Sequence, residues 1–536
     1  MARILKLLRA FHGAGMIRPH VPAPSLLPSL LRMPFRPRSL ATAVTVHATL
    51  RGEEIAVNDD HGDTSWRDLH ERANRLGHLL LRLQAEQGGD RRRVAILLRN
   101  GCPFVLATIA CARVGLDGAP MNTWARAEEI RHILDTQRPF ALLVDAHTAP
   151  LLEGLDLDLP VLLAGPTPQG PPPGTRPLEP LLAECPATLP PTREGARIVM
   201  HTSGTTGLPK GAERQVDGDS LDTVVRFLQK VPLRQDDVFA LAPPLFHTLA
   251  WGMMAIGLVL GCRLVVRERF DAAAFARVLR EQDATALTMV PVMVRRLLDQ
   301  PDDALPTGLR ILVTSGAPMT QPLRDRVRER LGDVHHDLYG STETGWATIA
   351  TPAEMKERPG TVGRPGDDMI VRILDEDGQE VPTGETGRVF MGTGWEFEGY
   401  TGRGNDRDRV GGLLTVGDVG HVDAEGWLYL SGRADDMIIR GGENIYPGEV
   451  EVVLERHPDL AESVVVGVPD EELGEALRAV VVPRAGTPLD ADTLRAWLDE
   501  RLPRWKVPRD IVLAEALPRN AAGKVLRRQL RDEAGA

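Results

Sequence analysis

Past residue 52 the chain alternates short apolar runs with longer helical patterns, and this alternation restricts the fold more than any other feature of the sequence. Runs such as Val94-Ala95-Ile96-Leu97-Leu98 and Ala141-Leu142-Leu143-Val144 read as strands, and Trp66 to Arg82 reads as a helix. Strands alternating with helices predict the α/β class with mostly parallel sheets. A chain of 536 residues is too long for one core, so two or three units are expected. Near Gly432 the texture changes. The remainder reads as a small α+β unit, with a strand from Ser463 to Val468, a helix from Leu489 to Arg501 and a strand from Asp510 to Leu513. The expected divisions are a basic N-terminal segment at 1–52, a large domain at 53–433 and a small domain at 434–536. Gly165 to Pro191 reads as surface loop, because seven prolines lie between Pro166 and Pro180.

With 43% apolar and 26% charged residues the composition is that of a globular protein, and a net charge of -11 argues against a nucleic-acid partner. Small-molecule partners are expected instead. The four cysteines (Cys102, Cys111, Cys185, Cys262) show neither disulfide nor zinc spacing, which fits a reducing cytoplasm. Phe239 to Cys262 carries no formal charge over 24 residues, but Pro243, Pro244, His247 and several glycines make it a strand, a loop and a buried helix rather than a membrane span. From Met1 to Gly52 there are eight Arg or Lys and no acid, with Ile4, Leu7, Leu8 and Phe11 at helical spacing. Three readings stay open there: a helix packed on its own domain, loose contact with an anionic inner-membrane surface, or a targeting peptide.

Ile198 to Gly211 is a strand running into a loop of glycines, hydroxyls and one lysine: Thr202, Ser203, Gly204, Thr205, Thr206, Gly207, Leu208, Pro209, Lys210. Glycines let backbone N–H groups approach phosphate oxygens, hydroxyls add donors, and the lysine adds a mobile charge. The alternative is a flexible glycine-rich turn. Pro209 and Gly211 around Lys210 exclude the common GxxxxGK[ST] loop. The segment resembles the [YF]TSGTTGxPKG loop of the adenylate-forming enzymes, a superfamily of acyl-CoA synthetases, aryl-CoA ligases, luciferases and peptide-synthetase adenylation domains. It departs only where His201 replaces an aromatic residue.

Two further clusters have chemistry of their own. In Asp337-Leu338-Tyr339-Gly340-Ser341-Thr342-Glu343, a tyrosine can stack on a base and a carboxylate among hydroxyls suits a hard cation. Asp418 and, after Ser431-Gly432, Arg433 place a carboxylate that can accept ribose hydroxyls near a guanidinium. The resemblance implies that Tyr339 closes over adenine, Thr342 meets phosphate, Glu343 holds Mg²⁺, Asp418 holds ribose and Arg433 contacts the nucleotide. Ser315-Gly316-Ala317-Pro318 resembles the other wall of the adenine slot, and Asp337, Gly340 and Ser341 complete the implied ATP/AMP set. Val416 stands where a hydroxyl residue is usual.

The resemblance also implies a hinge at Asp435, a coenzyme A channel lined by Gly441 and Gly442, and a catalytic lysine, Lys524, in the loop Pro518 to Val525. Lys524 would stabilise negative charge growing on the carboxylate and α-phosphate oxygens. The implied reaction joins a carboxylic acid to AMP, releases pyrophosphate, and passes the acyl group to coenzyme A. Stopping at acyl-AMP to load a carrier protein, aryl-CoA formation, and a non-catalytic scaffold of the same fold are the alternatives. Pro244-Leu245-Phe246-His247-Thr248 lacks the aspartate of amino-acid-activating relatives, and Gly340 stands where acetate-activating relatives have tryptophan. The resemblance implies that His247 sits near the acyl carboxylate and acts in catalysis with Lys524, Glu343 and Thr342, the alternative being a packed histidine. His247, Trp251, Val290, Val313, Gly340 and Trp346 are the candidate acyl-pocket residues. Their apolar character favours a fatty or aromatic acid over a polar one. The run Trp395 to Gly402 resembles bacterial fatty-acyl-CoA synthetases, which implies a medium- or long-chain fatty acid.

Overall fold

The computed structural model describes residues 13–15 and 40–536, apart from 168–169, 192, 194, 204–208, 216–219, 343, 367–368, 393–398, 401–408, 441–442, 471, 521–522 and 534–536. At 202, 203, 209, 210, 214, 215, 220–223, 399, 400, 416 and 444 the description stops at the backbone. The basic amphipathic pattern at Ile4 to Phe11 and most of the run Trp395 to Gly402 therefore lie outside the described residues. The chain forms two compact units, Met1–Met289 with Asp299–Val313 and Trp395–Asp406, and Val290–Leu298 with Thr314–Gly394 and Arg407–Ala536.

The first unit is α/β with mostly parallel pairing. One sheet runs in the order Gly399–Tyr400, Pro209–Gln215, Arg197–Ser203, Asp117–Pro120, Arg93–Leu97, Ala141–Asp145, Val161–Ala164, Thr175–Pro177. Its pairs are parallel except the hairpin of Arg197–Ser203 with Pro209–Gln215 and the short edge strand beside it. A second sheet contains Ala286–Met289, Val238–Leu241, Arg263–Val266 and Ile55–Asp59 as parallel neighbours. Helices cover the sheets. In Trp66–Glu86, Ser65 Oγ accepts from Asp68 N at 3.1 Å as the N-cap, and Trp66, Leu69, Ala73, Leu76, Leu80 and Leu83 form a buried stripe of helical period.

The uncharged stretch from Phe239 resolves into the end of a strand, a loop and the helix Thr248–Leu260, whose 13 residues are largely buried. No helix among the described residues is long and apolar enough to cross a membrane. The proline-rich segment is more ordered than its composition predicts. Thr175–Pro177 pairs in parallel with Val161–Ala164, and Pro177 leads into the short helix Leu178–Ala183, a position where a fixed φ is tolerated.

In the second unit, Ile370–Leu374, Gly387–Gly392, Leu413–Val422 and Leu428–Arg433 form an antiparallel sheet, and His335–Ser341 with Gly345–Ala350 is a hairpin. The C-terminal segment has its own sheet, in which Leu460–Asp470 and Gly474–Pro483 pair antiparallel and Asp510–Leu513 adds in parallel. Ile438, Val450, Leu454, Val465, Leu477, Val481, Leu494 and Leu498 build its core. The helix expected at 489–501 is Ala491–Asp499, capped by Asp490, which accepts from Thr493 N.

Candidate active site

The second unit brings four of the sequence-selected residues into one electrostatic cluster. Antiparallel register sets Asp418 opposite Arg433. Arg433 Nη1 donates to Asp418 Oδ1 at 3.2 Å, and Tyr339 Oη donates to Asp418 Oδ2 at 2.7 Å. Gly417 takes φ +80°, a conformation that favours glycine, and a Cβ there would lie 3.2 Å from Arg433 Nη2, a tight contact with the guanidinium. Burial pushes the Asp418 carboxyl up, and the Arg433 charge, the Tyr339 hydroxyl and the Lys524 charge pull against that rise. Burial and then the Asp418 charge push the Tyr339 phenol well above its ordinary value, so it stays a donor at neutral pH.

Lys524 sits in a tightly bonded turn. Its N–H donates to Asn520 Oδ1 at 2.9 Å, Asn520 N donates to Lys524 O at 2.9 Å, and Arg519 donates to Gly523 O at 2.7 Å. Gly523 has φ +77°, and a Cβ would approach Val292 Cγ1 to 2.7 Å, two independent reasons for glycine beside the lysine. Crowding of the ammonium by the protein, then the Arg433 charge, pushes Lys524 below its ordinary value, while Asp436 and Asp418 oppose the shift. Because the residue as a whole is exposed to solvent, this shift is screened, and its direction is the useful fact.

The remaining selected residues of this unit divide by role. Asp337 accepts from Arg324 Nη2 at 2.5 Å and from Thr314 Oγ1 at 3.3 Å, on the strand His335–Ser341 that also carries Tyr339. Ser315–Pro318 form the turn after strand Ile311–Thr314, with Gly316 at φ +86° and its Cβ position 3.6 Å from Val290 Cγ1. Ser341 Oγ accepts from Thr344 N at 3.1 Å in the hairpin turn that also contains Thr342. A Cβ on Gly340 would lie 2.0 Å from Gly345 O and 2.6 Å from the Cα of Trp346, its register partner. Close approach of the two strands thus requires glycine at 340 whatever the depth of an acyl pocket. Trp346 and Val290 are buried. Glu343 lies outside the described residues.

Asp435 is an exposed residue in the turn Ala434–Asp436, 3.9 Å from Arg433 Nη2. Its neighbour Asp436 pairs with Arg531 at 3.0 Å and Arg527 at 3.6 Å, which ties the helix Arg527–Asp532 to the expected pivot. These arginines were missed by motif reading, although their i, i+4 spacing on a basic helix was visible. Gly441 and Gly442 lie outside the described residues.

In the first unit Thr202 lies opposite Lys210 and Ser203 opposite Pro209 in the antiparallel pair Arg197–Ser203 and Pro209–Gln215. Gly204, Thr205, Thr206 and Gly207 lie outside the described residues. His201 Nδ1 donates to Pro120 O at 2.8 Å, and burial pushes the ring down to about 4. His247 precedes the helix Thr248–Leu260, Trp251 lies one turn along it, and Val313 is wholly buried on its own strand. Asn100, which no motif singled out, spans the loop before His247: its amide donates to Pro243 O at 3.1 Å and accepts from Leu245 N at 2.7 Å.

Residues 44–401 match the AMP-binding enzyme family, and residues 449–524 match the AMP-binding enzyme C-terminal domain. The chain belongs to the AMP-binding enzyme family. This AMP-binding enzyme is 32% identical over 487 residues to feruloyl-CoA synthase of Amycolatopsis, covering 89% of this chain and 95% of the relative. It is 33% identical over 504 residues to indoleacetate–CoA ligase of Aromatoleum aromaticum, covering 90% and 96%. The structure of o-succinylbenzoate CoA synthetase from Bacillus subtilis, in complex with its acyl-adenylate intermediate, superposes with a TM-score of 0.78 at 27% identity, covering 93% and 98%.

Proposed function

We propose that this AMP-binding enzyme activates an aromatic carboxylic acid with ATP and transfers the acyl group to coenzyme A. The chain is an acid–thiol ligase that forms a carbon–sulfur bond, with ATP, Mg²⁺ and coenzyme A as its reaction partners. The observation that carries the site assignment is the Tyr339, Asp418, Arg433 and Lys524 cluster, a carboxylate held between two donors with an ammonium whose charge reaches it.

In this reading a carboxylate oxygen of the acid attacks the α-phosphorus, the bond from that phosphorus to the bridging oxygen breaks, and pyrophosphate leaves. The coenzyme A sulfur then attacks the acyl carbon, and AMP departs with the electron pair of the acyl–oxygen bond. Asp418 receives ribose hydroxyls, Tyr339 covers the base, and Lys524 offsets the charge that grows during adenylation. Mg²⁺ neutralises phosphate charge when bound. Its expected holder is Glu343, and among the described residues no group of three or more His, Cys, Asp and Glu could hold a metal ion. Rotation about Asp435 would exchange the groups presented for the two steps.

The aromatic assignment draws on feruloyl, indoleacetyl and o-succinylbenzoyl, the acyl groups named for three relatives. The apolar candidate acyl-pocket residues support a second reading, the fatty acid suggested by the sequence. AMP release with coenzyme A across aryl acids and saturated acids of graded length decides between them. A preference for the saturated series would overturn the aromatic reading, and no acid-dependent AMP release at all would overturn the ligase itself.

A further inference from the structure

One face of the helix Gln321–Leu331 carries Gln321, Arg324 and Arg328 at i, i+3 and i+7, and all three line a cleft of about 340 Å³ that opens to solvent. Lys356 of the helix Pro352–Glu357, Asp333 and the buried His335 complete the polar part of its wall. All of these residues belong to the second unit.

Two buried atoms on this helix face have no hydrogen-bond partner, Arg324 Nε and Gln321 Oε1. The rest of each side chain is engaged. Arg324 is 8% exposed and donates through Nη1 to Thr361 O at 3.1 Å and through Nη2 to Asp337 Oδ2 at 2.5 Å. Gln321 Nε2 donates to Asp325 Oδ1 at 3.0 Å, and because an ionised carboxylate only accepts, this bond fixes which end of the amide is the oxygen. Unbonded Nε atoms occur on other arginines, Arg440 and Arg519 among them. Arg324 differs in having an unbonded acceptor one helical turn away on the wall of the same cleft. Buried polar groups are normally satisfied, so this pair calls for an occupant that both accepts and donates.

Charge narrows the chemistry. The wall carries Arg324, Arg328 and Lys356 against one carboxylate, Asp333, while Arg328 also pairs with Asp325 at 2.7 Å and Arg324 with Asp337. His335 adds no charge: it is bonded to Thr314 Oγ1 at 2.7 Å, and burial, then the Arg324 charge, holds it well below its ordinary value. An anion fits such a wall, but a fully ionised one brings no proton for Gln321 Oε1 or Asp333. We infer that the cleft binds inorganic phosphate in its monohydrogen form, with P–O⁻ oxygens accepting from Arg324 and the P–OH donating to Gln321 Oε1. A phosphate ester has lost its last proton at neutral pH, its second pKa being about 6, and fits less well. The site shares no wall residue with the Tyr339, Asp418, Arg433 and Lys524 cluster and does not depend on which acid the enzyme activates.

The test titrates the full-length enzyme by calorimetry with inorganic phosphate, sulfate and methyl phosphate at constant ionic strength and neutral pH, with AMP at saturating concentration to fill the nucleotide site. Phosphate should bind saturably, at least about tenfold tighter than either of the others, the effect of one hydrogen bond to a charged ligand. Gln321→Leu should shrink that preference to within about twofold, and Lys356→Ala should weaken all three anions alike. Both variants should keep the parent rate of AMP release in phosphate-free buffer, which shows them folded. Equal affinities for the three anions, or no saturable phosphate binding, would overturn the inference, and that comparison needs only the unaltered enzyme. An active Gln321→Leu enzyme that keeps the full preference for phosphate would overturn it as well, and each of these results leaves the ligase reading standing.

Discussion

Tyr339 and Asp418 are joined by a 2.7 Å hydrogen bond across 79 residues of sequence, and the bond leaves one carboxylate oxygen of Asp418 to Arg433. The pair holds the carboxylate in a fixed direction before any ligand arrives. Tyr339→Phe removes a bond to a charged acceptor that is largely buried, an interaction of about 1.5–3 kcal/mol. The expected outcome is an ATP KM raised at least about tenfold in acid-dependent ATP–pyrophosphate exchange, because 1.4 kcal/mol corresponds to tenfold. An unchanged KM for ATP would place the phenol outside nucleotide binding.

Lys524 yields a prediction with a sign in pH. Its ammonium is displaced below its ordinary value of 10.5, so it deprotonates at lower pH than a free lysine and adenylation should decline on the alkaline side accordingly. Asp436 opposes the displacement. Asp436→Asn should therefore move the alkaline limb of the adenylation rate further down in pH, and Lys524→Ala should lower adenylation by about 10²- to 10³-fold while sparing thioester formation from supplied acyl-AMP. A limb that stays in place in Asp436→Asn contradicts the electrostatic link.

His47 makes stability depend on pH. It is 2% exposed and bonded to Val259 O at 3.1 Å, and burial lowers its pKa from 6.5 to about 4. The native ring stays neutral while the unfolded one takes a proton. Its stabilising contribution is present above pH 6.5 and is lost as pH falls towards about 4, an effect of order 3 kcal/mol at 1.36 kcal/mol per unit. His47→Gln should flatten the fall in denaturant midpoint between pH 6.5 and 4.5. Parallel curves for the two proteins would show that His47 contributes nothing to that fall.

How much of this was legible beforehand depends on the range over which each residue acts. Tyr339, Asp418, Arg433 and Lys524 stand in short local patterns, because glycines, hydroxyls and charges needed at one turn must be near in sequence. The parallel α/β class was legible for the same reason, from strand and helix periods. Asn100 escaped because its partners, Pro243 and Leu245, are 143 and 145 residues away, and the Asp436–Arg531 pair spans 95 residues. Gly340 was read as opening a pocket, whereas its local requirement is the 2.0 Å approach of Gly345 O. One glycine can satisfy both demands, and only geometry reveals the second.

Asp337, a member of the implied ATP/AMP set, is also held by partners within the protein. The structure pairs it with Arg324 at 2.5 Å, both side chains being 7% exposed, and Arg324 also donates to Thr361 O at 3.1 Å. Burial pushes the Asp337 carboxyl up, and Arg324 then opposes that rise through its charge and its hydrogen bond. Asp337→Asn would leave the guanidinium buried without its counter-charge, at a cost of about 3–5 kcal/mol, whereas a paired replacement, Arg324→Met with Asp337→Leu, should restore much of the stability. Thermal unfolding of the three proteins measures this. If the double variant regains its melting temperature and keeps the parent KM for ATP, Asp337 acts only by supporting the strand that carries Tyr339. If stability returns while the KM for ATP stays raised about tenfold or more, the carboxylate also serves the nucleotide, and the structural account of Asp337 is incomplete.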